Sequence, residues 1–127
     1  MACTSEIRKY SSKIESLVEK GFIKKGYRLI SRNKKYFGVE VDRHFISQNG
    51  QWILCEVKSL QDWCWFESRI SKSQTQRLNY VRIKLQAKHP EAILLYYAFY
   101  VVSQKLVVIY DNQGNLVWEF AANLAES

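Results

Sequence analysis

Proline is almost absent from this chain and glycine is scarce, with one proline and five glycines in 127 residues. No Pro/Gly/Ser-rich linker, repeat or low-complexity block interrupts the sequence, so one compact domain spanning residues 1–127 is expected. Histidine is limited to His44 and His89, and cysteine to Cys3, Cys55 and Cys64. The cysteines are odd in number, form no C-x-x-C pair and do not group with the histidines, which excludes a structural zinc site or a disulfide framework. They read as reduced thiols, with Cys55 acting as a small apolar residue in a strand. No apolar run reaches the roughly 20 residues of a spanning helix, and the N-terminal stretch lacks the apolar region of a signal peptide. No membrane partner and a cytoplasmic address are therefore expected.

Acidic residues are also outnumbered. Twelve Asp and Glu face nineteen Lys and Arg, a formal net charge of +7 that favours a polyanionic partner through phosphate contacts and counterion release. The hydrophobic content of 47%, including 14% aromatic residues, is enough to offset the entropy of ordering the chain.

Periodicity then sets the elements. Ile7, Tyr10, Ile14, Leu17 and Val18 recur at helical spacing from about Ser5 to Lys20, and Gly21 is expected to stop that helix. A strand near Tyr27–Ser31 and a basic turn, Arg32 to Lys35, come next. Apolar runs at Val39–Ile46 and Trp52–Val57 flank Ser47–Gln51, whose Asn49 and Gly50 favour a turn, giving a hairpin. A second amphipathic helix is expected from about Ile70 to Lys88, with Leu78, Val81 and Leu85 on one face and Pro90 marking its end. Ala92–Val102, Leu106–Tyr110 and Leu116–Phe120 read as a strand meander. The order helix, three strands, helix, three strands predicts an α/β or α+β sandwich with a mixed sheet.

The chemistry concentrates in the hairpin. Strand alternation places Glu40, Asp42 and His44 on one face of the first strand, with Val39, Val41 and Phe45 on the other. On the second, Leu54, Glu56 and Lys58 share a face opposite Ile53, Cys55 and Val57. If the register sets Asp42 beside Glu56, two hard oxygen ligands, supplemented by a backbone carbonyl such as that of Val57 and by waters, suit Mg²⁺. Lys58 beside them can orient water and offset charge on phosphate. The competing reading is a set of ordinary polar residues on a solvated sheet face. His44 is left out of the catalytic set, because a lone histidine at a strand end is more often a hydrogen-bonded polar residue. The cluster Trp63, Cys64, Trp65, Phe66 can pack in a core or interface or stack on bases, and packing is favoured.

The run Gly38-Val39-Glu40-Val41-Asp42, followed by Ile53-Leu54-Cys55-Glu56-Val57-Lys58, resembles the motif of the PD-(D/E)XK nucleases, the restriction-endonuclease-like superfamily. Within it the sequence looks most like archaeal Holliday-junction resolvases and their small bacterial relatives. The resemblance covers about the first 90 residues, and Gly26-Tyr27 fits the family's habit before its first strand. The pattern departs from the family at Arg43-His44, where aliphatic residues are usual.

The resemblance implies a central mixed sheet flanked by helices, with the C-terminal meander as an addition. It implies a metal-dependent DNA endonuclease that hydrolyses phosphodiester bonds, selective for branched or junction DNA, with Mg²⁺ as cofactor and Mn²⁺ as substitute. Asp42, Glu56 and Lys58 would be catalytic, joined by Glu15 from the first helix and by Gln74 from the second. Lys34, Lys35, Arg43, Lys72 and Arg77 are the residues expected to contact nucleic acid, and symmetric cutting of two strands would suggest a homodimer. Two other classes stay open. One is a binding module on the same fold without catalysis, and the other is an interaction protein that self-assembles through its aromatic second half.

Overall fold

A computed structural model describes residues 4–61 and 72–126, with side chains placed over 11–61 and 75–125. The elements follow as α1 (Thr4–Lys24), β1 (Arg28–Tyr36), β2 (Val39–Ile46), β3 (Trp52–Leu60), α2 (Lys72–Gln86), β4 (Leu94–Val101), β5 (Leu106–Asp111) and β6 (Leu116–Ala121). The fold is α+β. Six strands form one mixed sheet in sequence order, with every neighbouring pair antiparallel except β3 and β4, which run parallel. The chain crosses from β3 to β4 by way of α2, as a parallel pair requires.

The two helices cover opposite faces. Leu54 on β3 joins Leu78 and Val81 of α2 in one buried apolar cluster, while Ile53 and Cys55 join Ile14, Leu17, Val18 and Phe22 of α1 in the other. The alternation expected along β3 is therefore observed, and Cys55 is a free, fully buried thiol among the residues under α1. β4 is covered on both faces, and its sequence LLYYAFYV is correspondingly apolar throughout. Strands β4, β5 and β6 form the expected meander.

Gly21 does not end the first helix, which continues to Lys24. Termination comes at Gly26, whose φ of 104° is left-handed. The Gly26 N–H donates to Ile23 O and the Tyr27 N–H to Phe22 O, both at 3.0 Å, and Tyr27 packs edge-on against Phe22. This pair of bonds with its apolar contact is a Schellman ending. Gly21 answers a different need: a Cβ there would lie 2.1 Å from Phe120 Cζ, so glycine lets β6 dock on the helix.

The basic segment after the first strand is likewise not a turn. β1 runs through Arg32, Lys34 and Lys35 to Tyr36, and reversal occurs at Phe37-Gly38. Both turn residues are left-handed, with φ of 54° and 80°, as a two-residue I′ hairpin turn demands. A bulky residue in that region costs about 1–2 kcal/mol.

Candidate active site

β2 and β3 pair from Ile46↔Trp52 as far as Arg43↔Cys55, and there the ladder stops. One more step of the same register would set Asp42 opposite Glu56. Instead the Val57 N–H donates to Asp42 Oδ2 at 2.8 Å, so a side chain satisfies this amide at the point where the strands part.

The ribbon of β1 and β2 changes face at the same level. Val39 and Val41 pack with the cluster under α2, whereas Phe45 packs under α1 and Arg43 bonds to acids of α1. The simple alternation expected for β2 is therefore broken at Asp42. Its neighbour across the strand pair, Asn33, lies between Arg32↔Arg43 and Lys34↔Val41 and has a φ of 45°, a conformation Asn tolerates better than most residues. The distortion turns Asp42 into the gap between β2 and β3 rather than flat onto the sheet.

Burial and crowding then set the electrostatics. Burial pushes the Asp42 carboxyl up from 3.8 to about 7; the Glu56 charge adds to this, the Val57 amide opposes it, and Glu15 and Glu40 raise it further. Glu56 is also raised by burial, against the lowering influence of Lys58, of a hydrogen bond with Asp42 and of Arg77. The two carboxyls therefore crowd one another, and each holds its proton to higher pH than a free carboxyl does. Lys58, on the face of β3 that carries Glu56, and Arg77 on α2 supply positive charge from one side.

Glu15 stands at the rim of this group. Its Oε1 accepts from Asn33 Nδ2 at 2.8 Å and from Arg43 Nη1 at 3.2 Å, and its charge reaches Asp42. Arg43 Nη1 also donates to the Asp42 carbonyl at 2.7 Å, while Arg43 Nε and Arg32 Nε donate to Glu19 Oε1 at 2.8 and 2.7 Å. The hydrogen bonds from Arg32, ahead of other influences, hold the Glu19 carboxyl below its usual range. Arg43 is 4% exposed, so the expectation that it contacts nucleic acid is corrected: its guanidinium is committed to Glu15, Glu19, Asn33 and the backbone of Asp42. The same network gives the charged residue that follows Asp42 its buried partners.

Among the other predicted residues, Lys34, Lys35 and Arg77 are exposed. Val57 enters the site through its amide. Lys72 and Gln74 fall in the first turn of α2, and their side chains lie outside the described residues, as do Trp63, Cys64, Trp65 and Phe66. His44 is buried, with Tyr36 Oη and His44 Nδ1 2.7 Å apart, and burial lowers its pKa to about 4. It stays neutral and packs edge-on against Trp52, whose ring in turn lies against His89.

Two residues near the acids lie outside the expected catalytic set. Glu40 adds negative charge to both Asp42 and Glu56, as its place two positions before Asp42 on the same strand face allows. Tyr97, the register partner of Glu56 on β4, presents a buried phenol whose pKa burial raises. Nothing in an apolar run such as LLYYAFYV marks one tyrosine from another. Among the described residues no three His, Cys, Asp or Glu side chains enclose a metal position. A cavity of about 530 Å³ lies elsewhere, between Lys20, Gly21 and Lys24 of α1 and Trp118 and Phe120 of β6, and contains no acid.

No known family's sequence profile matches the chain, and no curated protein matches it. Among the described residues no helix is long and apolar enough to cross a membrane.

Proposed function

We propose that this chain is a metal-dependent DNA endonuclease of the restriction-endonuclease-like type, acting on branched or junction DNA, with Asp42, Glu56 and Lys58 at its centre. The observation that carries the reading is the crowding of two half-buried carboxyls, Asp42 and Glu56, at the parting of β2 and β3, with Lys58 on the same face of β3 as Glu56. A fold gains no stability from crowding two desolvated carboxylates, so the arrangement points to a positive ligand.

The residues present fit Mg²⁺, which binds through one or two carboxylates and keeps several waters and substrate oxygens in its shell. Asp42 and Glu56 would hold it, and the ion would supply charge at the phosphate and acidify the attacking water. The protein's own residues do the rest. The Val57 amide fixes one oxygen of Asp42, leaving the other to face the gap. Arg43 holds the Asp42 backbone and Glu15 in place, which keeps the geometry set before substrate arrives. Lys58 offsets charge that develops on the phosphate and orients water toward phosphorus. Exposed Lys34, Lys35 and Arg77, in a chain of net charge +7, provide the phosphate contacts that carry affinity.

The test is incubation of the protein with labelled branched, single-stranded and linear duplex DNAs in Mg²⁺, Mn²⁺ or EDTA. Cleavage should need the metal, and Asp42→Ala and Glu56→Gln should each lower it by on the order of a hundredfold or more. Salt-sensitive binding in EDTA with no cutting in either metal would support the binding module without catalysis. Equal cleavage by wild type and both variants would refute the site.

A further inference from the structure

The hairpin that leads into the site ends in a residue its turn does not want. Asn-Gly or Asp-Gly suits a two-residue turn with both positions left-handed, yet the first position here is Phe37, at a φ of 54°. Phe37 is 47% exposed and belongs to neither apolar cluster. Gly38 beside it opens onto free space, since a Cβ placed there would meet nothing within 4 Å. Strain and exposure of an aromatic ring at one apex have no packing return. Strain of this kind persists where it serves recognition.

The surroundings indicate what is recognised. Lys34 and Lys35 are exposed on the strand immediately before the turn, with Lys34 Nζ 5.2 Å from the Tyr36 ring, and Glu40 is the register partner of Lys35 at the rim of the acid group. From Phe37 the chain reaches Asp42 in five residues of nearly extended strand, a span of about 16 Å. An exposed ring on a basic arm, so close to a phosphate-cleaving site, matches the stacking platforms that engage bases freed from a duplex.

We propose that the β1–β2 hairpin tip is a wedge, in which Phe37 stacks on the terminal base pair where a DNA duplex branches or frays while Lys34 and Lys35 hold the flanking phosphates. The inference rests on the DNA-endonuclease reading and adds to it the determinant of substrate structure. At about 3.4 Å per base-pair step, the distance from Phe37 to Asp42 sets the cut about four or five nucleotides from the branch.

The experiment uses the full chain in EDTA with a forked duplex carrying 2-aminopurine at the branch, and with a linear duplex of the same sequence. Wild type should bind the fork more tightly and change the 2-aminopurine fluorescence. Phe37→Ala and Phe37→Asn should lose that signal and about tenfold of the preference for the fork, with linear binding unchanged, while Phe37→Trp keeps both. Phe37→Asn should also melt at a higher temperature than wild type, since Asn accepts the turn geometry, which separates lost recognition from lost folding. In Mg²⁺ the wild-type cut should fall four or five nucleotides from the branch, as expected above. Fork preference and fluorescence change that survive in both Phe37→Ala and Phe37→Asn overturn the wedge and leave the endonuclease reading standing. Metal-dependent cutting with no preference for the fork overturns the wedge together with the choice of branched DNA, and leaves metal-dependent cleavage standing. Absence of both DNA binding and cleavage by wild type overturns the two together.

Discussion

Replacing Asp42 by Asn should stabilise the metal-free protein, and by an amount that depends on pH. In the folded chain the Asp42 carboxyl titrates near 7, against 3.8 for an ordinary aspartate, because it is buried and faces Glu56. The folded state therefore holds a proton that the unfolded state has already released, and stability falls as pH rises from about 4 to about 7. Above that window the loss is complete; below it there is none. At 1.36 kcal/mol per pH unit the full gap is worth at most about 4 kcal/mol. Sharing of one proton with Glu56 relieves part of it, so about 2 kcal/mol is expected. Asn removes the charge and still accepts from the Val57 amide. In EDTA at pH 8, Asp42→Asn should melt about 7 °C above wild type, the shift that about 2 kcal/mol gives a chain of this length. The gap should close toward pH 4, and Mg²⁺ should narrow it at pH 8 by stabilising wild type alone. Calorimetry or circular dichroism across that pH range decides the matter. Equal melting at pH 8, or a gap that does not vary with pH, would refute the picture of a crowded, protonated acid pair.

Arg43→Ala strips Glu15 and Glu19 of a buried partner and should cost about 3 kcal/mol in urea unfolding, with Arg43→Lys recovering little because the guanidinium spans several acceptors at once. Gly21→Ala, normally favourable inside a helix, should instead destabilise by about 1–3 kcal/mol through collision with the Phe120 ring. Phe120→Leu in the same chain should restore part of that loss. Lys58→Ala should lower the rate of DNA cleavage by about a hundredfold while the rise in melting temperature on adding Mg²⁺ persists, since the role proposed for Lys58 is on phosphate and water rather than on the metal.

Much of the architecture was legible because burial imposes periodicity. Val39–Ile46 was read with the bounds observed for β2, and α2 and the three C-terminal strands fell within a few residues of their expected places. Errors arose where a long-range contact decides a local feature. Gly21 reads as a helix stop unless one knows that Phe120 lies against it. The basic run Arg32 to Lys35 reads as a turn because charge and Asn33 resemble loop chemistry, whereas an exposed first strand tolerates both. At the site, spacing offered the meeting of Asp42 with Glu56 only on condition of a register that the sequence leaves open, and the observed ladder stops one step short of that pair. The break in alternation at Asp42 was not legible, because no local pattern in β2 announces it, and the burial of Arg43 depends on two glutamates from α1. Single-sequence patterns see faces and not partners.

The seat of Phe120 against Gly21 bears on the order in which the molecule assembles. It joins the first helix to the last strand, and Val107 and Ile109 of β5 with Trp118 and Phe120 of β6 belong to the same apolar cluster as the stripe of α1, whose main bed is β3. Such distant contacts reward the chain only after nearly the whole loop between them has been ordered. The hairpin of β1 and β2 and the β4–β6 meander can form locally and early, but α1 has no complete surface to lie on until β6 is in place. The end of α1 around Gly21 is thus the part of the helix that waits for β6, and slow docking of that strand would leave Gly21 and its apolar neighbours open to association with other chains.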